Sequence, residues 1–461
     1  TKTLHHDHHK KPVFVSAATT LHEAALHMER DGQRALLVRD GDEIGIFTGV
    51  DLTRAAVAER QPLETPVRDL VRYGVLAIDE ESFLFEAALL MARRRVRHLA
   101  VRREGEIVGM LDAAKLLSSL ANQADPIGSL IDGAQTATDV AEAIERTGFL
   151  VRQLHDSGTK IGFITELSTD LHRRATARLF ELLAPAGLAE QACLVVMGSE
   201  GRGEYLARTD QDNGIILADG YQPPGWEDFR QAFTAAMIDA GFPACPGEIM
   251  VRNPAWSKPL QAWCNDVRGW VLHPDEPAVM NIAIFYDSAV VAGDASLLER
   301  AKACLFDLLA DNAPFHALFA RAVDMFDTPL GLFSTFVTEK GAHKHELDLK
   351  KGGIFPLMHG VRALSLERRL VDTNTIQRIR RLQALGVFDK AMGEQLADAF
   401  GFLLDLRLST RLEKMRLHQP LDNFIRPDNM GKLERDLLKD SLQIVKQLKE
   451  VVRHHFHLAL F

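Results

Sequence analysis

The sequence predicts an α+β protein of several domains, and three observations carry that expectation. A βαββα pattern occurs twice near the N-terminus. A central stretch alternates short apolar strands with helices around a glycine turn and paired aspartates. The last third has helical periodicity and few β-branched runs. At roughly 150 residues per domain, 461 residues allow about three such units. With 46% hydrophobic and 25% charged residues, the composition excludes a fibrous or disordered chain and leaves enough sequence for several cores.

The repeat comes first in the chain. Thr20-Leu21-His22-Glu23-Ala24-Ala25-Leu26-His27-Met28 returns 63 residues later as Phe83-Leu84-Phe85-Glu86-Ala87-Ala88-Leu89-Leu90-Met91. Arg34 matches Arg97 and Val38 matches Val101. After a one-residue insertion, Asp42-Glu43-Ile44-Gly45 matches Glu106-Ile107-Val108-Gly109 in type. Each copy reads as helix, strand, Gly turn, strand, helix and is too small for a full core, so the two are expected to pack together.

The span 10–122 resembles a tandem pair of CBS domains, modules that sense adenine nucleotides. The resemblance rests on the repeat and on Gly45-Ile46-Phe47-Thr48-Gly49-Val50-Asp51, which keeps the family's G-h-x-T-x-x-D stretch. It implies an adenine nucleotide bound through Thr48 and Asp51: the Asp at the head of a helix would accept the ribose hydroxyls, with Thr48 and the helix N–H groups on phosphate. Copy two departs from the pattern, since Gly109-Met110-Leu111-Asp112-Ala113-Ala114-Lys115 has Asp for Thr and Lys for Asp. At most one competent site is therefore expected. A pair serving only as a dimerisation scaffold is the alternative, and a homodimer is expected in either case.

Residues 123–185 read as a linker turning into helix, with Val140, Ile144, Leu150, Val151 and Leu154 at three- and four-residue spacing. The span 186–310 holds the chemistry. Cys193-Leu194-Val195-Val196-Met197 reads as a buried strand running into Gly198-Ser199-Glu200-Gly201-Arg202-Gly203-Glu204. Thr209-Asp210-Gln211-Asp212-Asn213 and the apolar Ile215-Ile216-Leu217 follow. Neither a P-loop nor a dinucleotide fingerprint is present. Glycines after a strand let backbone N–H groups approach a triphosphate, and Ser199 adds a hydroxyl. Asp210 and Asp212, two apart, share a face and suit Mg²⁺, which leaves coordination positions for phosphate and water. Arg202 is expected to offset phosphate charge.

This arrangement resembles the nucleotidyltransferase superfamily signature, G-S-x-x-R followed by [ST]-D-x-D. More narrowly, Gly198–Glu204 with Thr209–Asn213 resembles the bacterial nucleotidyltransferases that carry CBS domains, relatives of the PII-protein uridylyltransferase. The resemblance implies a mixed-sheet core and a third carboxylate on a later strand. Asp287, after the strand-like Ile282-Ala283-Ile284-Phe285-Tyr286, is the preferred acid, and Glu248 in the strand-like Gly247–Val251 is the runner-up. The family's F-[FY]-D-x-R run has Ala289 in place of its Arg. The span 311–461 reads as an α-helical bundle, which in the superfamily presents the acceptor. Leu347-Asp348-Leu349-Lys350-Lys351-Gly352-Gly353 resembles the family's D-x-K-x-x-G stretch, so Lys350 is expected to reach the triphosphate; an exposed ion pair is the alternative. Arg362, Arg407 and Asn423 also sit in family-like segments.

The expected activity is a CBS-regulated, Mg²⁺-dependent transfer of NMP from an NTP to the hydroxyl of an unknown acceptor, either a protein or a small molecule. The alternative is a non-catalytic adenine-nucleotide sensor. A net charge of −9 argues against nucleic-acid binding. No apolar run approaches the ~20 residues of a membrane span. Cys193, Cys245, Cys264 and Cys304 are widely spaced and expected to be unpaired, which fits a reducing cytoplasm. The histidine clusters lack zinc-site spacing and are assigned no metal. The chain opens on Thr1-Lys2-Thr3 rather than on Met, which leaves open whether further sequence precedes it.

Overall fold

A computed structural model of the chain describes residues 10–41, 43–80, 82, 87, 90–91, 96–112, 127–206, 209–331, 335–339 and 341–458. The chain divides into two compact units, Thr1–Pro126 with Asp156–Thr159, and Ile127–His155 with Lys160–Phe461.

In the first unit, β1 (Phe14–Ser16) runs parallel to β2 (Ala35–Asp40), which forms a hairpin with β3 (Glu43–Thr48). Between them α1 (Leu21–Arg30) starts on a capping box, Thr20 with Glu23, and Thr48 begins the short α2 (Gly49–Thr53). After β4 (Arg72–Tyr73) the pattern recurs as β5 (Ala77–Asp79), β6 (His98–Arg103) and β7 (Glu106–Asp112). The 63-residue offset holds in the pairing itself: Phe14 faces Leu37, and Ala77 faces Ala100. The extra residue of copy two is not in the turn, as the sequence match suggested, but inside β7. Arg102 pairs with Ile107 and Val101 with Gly109, which leaves Val108 as a bulge. Most of the second copy's helix, Phe83–Met91, and its Ala113–Lys115 stretch lie outside the described residues.

Alternation explains how two small units share a core. Leu36 and Val38 point toward Leu21, Ala24 and Met28 within copy one. Their neighbours Ala35 and Leu37 point the other way, onto Ala100 and Met110 of copy two. Strand β2 is therefore buried on both faces, and its first four residues are apolar without a break.

The second unit opens with two long helices, α3 (Ala137–Asp156) and α4 (Ile161–Leu183). Its mixed sheet has the order β10-β9-β8-β11, with β8 (Ala192–Val196) and β9 (Asn213–Leu217) fully buried in the middle. β10 (Ser257–Pro259) lies parallel to β9, and β11 (Ala289–Gly293) antiparallel to β8. The helices α5 (Trp226–Asp239), α6 (Leu260–Leu272), α7 (Glu276–Tyr286) and α8 (Ala295–Leu308) fill the intervals.

Two expected strands are not strands. Gly247–Val251 is a turn, with Glu248 at φ 55°. Ile282–Tyr286 is the end of α7, which starts at Asp275 accepting from the Ala278 N–H, with Pro277 in its first turn. A further correction concerns the cysteines. Packing of α6 on α8 brings Cys264 and Cys304 to a Cα separation of 5.8 Å, and they form a disulfide; Cys193 and Cys245 are free and buried.

The C-terminal part is helical: α9 (Ala313–Ala320), α10 (Phe355–Glu367), α11 (Thr375–Ala384), α12 (Lys390–Arg416) and α13 (Lys432–His455). A two-stranded ribbon, β12 (Leu347–Asp348) with β13 (Phe424–Ile425), leads into a wide helical turn at Lys350–Ile354. α13 buries Leu438, Leu442, Val445, Leu448 and Val452, spaced by three or four residues, against its neighbours. Among the described residues, no helix is long and apolar enough to cross a membrane.

Candidate active site

Strand β8 ends at Val196 and is followed by Met197, whose N–H donates to the Asp212 carbonyl at 2.8 Å. The chain then makes one helical turn, Gly198–Gly201, closed by Gly201 N–H to Met197 O at 2.9 Å. Gly198 has φ 57°, and a Cβ there would fall 2.2 Å from Asp212 Oδ2. No side chain fits between the turn and that carboxylate, so the glycine is required on two counts. Gly201 is equally confined: its Cβ would lie 2.1 Å from the Asp287 carbonyl. Gly198 and Ser199 are half-buried at the surface of the turn.

Asp210 and Asp212 precede β9, the first exposed and the second half-buried. Their alternate neighbours hold them in place. Gln211 and Asn213 are buried; Asn213 Nδ2 donates to Gln211 Oε1 at 2.9 Å, Gln211 Nε2 to Phe242 O at 3.1 Å, and Val251 N–H to Asn213 Oδ1 at 2.9 Å. Burial raises the Asp212 carboxyl above the usual range; the Cys245 thiol bonded to it opposes this and Asp210 adds to it. Burial and Asp212 in turn push the Cys245 thiol up to about 11.

Cations from the helical part face the pair. Burial and the neighbouring Arg407 and Arg202 lower the Lys350 ammonium, while Asp212 and Asp210 pull it back up. Solvent still reaches Lys350. Arg407, held to Asn423 Oδ1 at 3.0 Å, is pushed down to about 10 by burial, Arg411 and Arg202, against Asp348 and Asp210. The structure thus gathers Gly198, Ser199, Asp210, Asp212 and Lys350 in one region.

Two expected members are placed differently. Asp287 is fully buried at the end of α7 and is not open to a metal ion. Its Oδ1 takes Arg378 Nη1 at 2.7 Å, and its Oδ2 takes Arg202 Nη1 at 2.9 Å and Arg362 Nε at 3.1 Å. Burial alone would raise this carboxyl, yet Arg362, Arg378 and Arg202 hold it well below the usual range. Arg202, expected on phosphate, is pinned between Asp287 and Glu204, with Nε to Glu204 Oε2 at 2.7 Å. Glu248, the runner-up acid, is an exposed partner of Arg252.

Sequence reading missed the clamp that joins the turn to the helical part. Glu204 Oε1 accepts from Thr375 N–H at 2.8 Å, Asn374 Nδ2 donates to Arg202 O at 3.0 Å, and Thr373 Oγ1 to Gly201 O at 2.8 Å. Of the arginines on Asp287, Arg202 was marked by the G-S-x-x-R resemblance and Arg362 by a family-like segment, while Arg378 had no such mark. Glu200 was also missed. It is 2% exposed, neither carboxylate oxygen has a hydrogen-bond partner among the described residues, and burial raises it to about 7.

In the first unit, Thr48 and Asp51 are engaged with each other. Thr48 N–H and Oγ1 donate to Asp51 Oδ2 at 3.0 and 2.6 Å, and Arg54 Nη2 to Oδ1 at 2.9 Å. A cavity of about 280 Å³ in this unit is lined instead by Lys10, Arg34 and Ala35, and by His98, Met110 and Asp112 from copy two.

The chain combines a two-copy βαββα module with a mixed-sheet core of the nucleotidyltransferase type, and the comparisons agree. The CBS-domain model matches residues 7–58 and 67–122. The model described as "Putative nucleotidyltransferase DUF294" matches 145–277, and "Putative nucleotidyltransferase substrate binding domain" matches 313–456. The chain therefore belongs with the CBS-containing proteins of the DUF294 family. CBS domain-containing protein CBSCBSPB1 of Arabidopsis thaliana is 33% identical over 138 residues, 29% of this chain and 24% of that protein. The chain thus spans about a quarter of the length of the curated relatives it matches. Among solved structures, an uncharacterized conserved protein of Pyrococcus horikoshii is 26% identical, over 24% of this chain and 88% of that one, with a TM-score of 0.23. A CBS domain protein of Pyrobaculum aerophilum complexed with AMP is 24% identical, over 24% and 93%, with a TM-score of 0.22.

Proposed function

We propose that the second unit transfers NMP from an NTP to an acceptor hydroxyl, on a protein or a small molecule, and releases pyrophosphate. A bond forms between the acceptor oxygen and the α-phosphorus as the bond to pyrophosphate breaks. The observation that carries this reading is the contact of the Gly198 turn with the Asp212 carboxylate, beside Asp210 and facing Lys350. The turn brings backbone N–H groups and Ser199 to the triphosphate, and Lys350 adds a charge-assisted donor.

Asp210 and Asp212 fit Mg²⁺. They are neighbouring carboxylates, and burial together with the charge of Asp210 raises Asp212. An ion held there would take its remaining ligands from phosphate and water, and would stabilise charge on the transferring group. Arg202 and Asp287 act as supports of the turn in this reading. The first unit binds an adenine nucleotide, with Lys10 and Arg34 as cations at the cavity; the CBS match and the cavity support this.

Incubation with α-labelled NTPs, Mg²⁺ and cell lysate tests the transfer. Label should appear on an acceptor together with pyrophosphate, and Asp210→Ala or Asp212→Ala should reduce turnover by at least about a hundredfold. Equal label in wild type and both variants, or none in any, overturns the reading in favour of a non-catalytic sensor.

A further inference from the structure

The helical part contains a second cavity, of about 530 Å³, on the far side of the Lys350–Ile354 turn. Lys350 serves the aspartate site, while the next residue, Lys351, lines this cavity. Its volume lies within the ordinary range for small-molecule sites.

Most of the charge around it is already committed. Lys449 donates to Phe326 O at 2.8 Å and lies 3.6 Å from Asp324. Arg453 pairs with Asp324 at 2.8 Å and with Glu450 at 2.6 Å. Asp348 Oδ1 accepts from the Lys351 N–H at 2.9 Å. Three lining groups are left without an ion-pair partner among the described residues: the cation Lys446 and the acids Asp327 and Glu339. Thr328 Oγ1, also in the lining, is buried with no hydrogen-bond partner there. Phe326 and Leu347 supply apolar wall.

A bare phosphate or nucleotide would meet Glu339 and Asp327, neither held in an ion pair although Asp327 lies near Lys449, and a simple cation would meet Lys446 and Lys351. A molecule carrying both an ammonium and a carboxylate satisfies both sets at once. We propose that this cavity binds a zwitterionic small molecule of the amino-acid type. The carboxylate is received by Lys446, the ammonium by Asp327 and Glu339. Its position gives it a lever on the aspartate site. A Cβ on Gly352 would fall 2.5 Å from Pro329 Cδ, so the turn and the cavity loop touch without slack. The proposal does not depend on the nucleotidyl-transfer reading, since it is tested by binding.

Thermal melts and calorimetry on the full chain, with each standard amino acid, its methyl ester, its N-acetyl form and inorganic phosphate, decide the matter. At least one free amino acid should raise Tm saturably, and both blocked forms should lose the effect. Lys446→Ala and Asp327→Asn, both at exposed positions, should each weaken binding about tenfold or more while the unliganded Tm stays unchanged. No shift with any amino acid, equal binding of the blocked forms, a response to phosphate alone, or undiminished affinity in both variants would each overturn it.

Discussion

Burial decides the chemistry of single residues here, and the two most buried acids of the core respond in opposite ways. Asp287 is surrounded by three guanidinium groups and stays ionised, whereas Glu200, 2% exposed, has Arg173 as its nearest cation and Asp212 working against it. Arg173 itself is spent on carbonyls, with Nη2 donating to Glu200 O at 2.7 Å and Gly201 O at 3.0 Å. Because the Glu200 carboxyl rises from 4.5 to about 7 on folding, the folded chain binds more protons than the unfolded one between those values. Its contribution is fully present below about pH 4.5 and is lost as pH rises through about 7. Glu200→Gln removes this titration. It should therefore be more stable relative to wild type at pH 8 than at pH 5, by on the order of 2–3 kcal/mol. Urea melts of both proteins at the two pH values measure it, and a difference that does not change with pH counts against a neutral buried Glu200. Asp287 titrates in both proteins, so its effect cancels.

The elements show which parts of the sequence can be read without neighbours. The repeat was legible because alternation and hairpin closure are local, and β8 and β9 were legible because buried central strands are continuous apolar runs. Ile282–Tyr286 was not, since five apolar residues suit a strand or a buried helix equally. The deciding signal lay upstream, at Asp275 and Pro277. The clamp of Glu204, Arg362, Arg378 and Asp287 joins segments up to 172 residues apart, and no local pattern showed that these residues pair. The disulfide had none either, because only the packing of α6 on α8 brings its cysteines together. The Gly198 turn was read as backbone that approaches a triphosphate, and what it approaches in the fold is the Asp212 carboxylate. Gly198→Ala adds a clash with that carboxylate to the ~1–2 kcal/mol cost of a left-handed alanine. Gly220→Ala is the control, with φ 83° and nothing within 4 Å of its Cβ. Gly220→Ala should lower Tm by a few degrees and Gly198→Ala by more, and only Gly198→Ala should weaken binding of a non-hydrolysable NTP, about tenfold or more. Calorimetric titration separates the two, and equal affinities would dissociate the turn from the triphosphate.

At the scale of the whole molecule, a CBS pair and a nucleotidyltransferase-type core in one chain amount to regulation only if the two ligands feel each other. Linkage makes that a quantitative statement. If an adenine nucleotide on the first unit changes the affinity of the second for an NTP analogue by some factor, the analogue must change adenine-nucleotide affinity by the same factor. A coupling of 1–3 kcal/mol, roughly five- to 150-fold, is typical of such systems. The first unit must be perturbed without unfolding it, and Asp51 is a poor choice for that. Its carboxylate caps α2 through Thr48, so its loss costs about 1 kcal/mol whether or not nucleotide binds. Arg34 is better placed, since it is exposed and lines the cavity that also holds Asp112 and His98. Arg34→Ala should leave the unliganded Tm unchanged and weaken AMP binding about tenfold. It should leave affinity for the NTP analogue measured without AMP as in wild type, while AMP at wild-type saturating concentration should no longer shift that affinity in full. Four titrations on wild type, each ligand with and without the other, close the thermodynamic cycle. A factor of one in both directions would make the CBS pair a passive neighbour of the core rather than its regulator.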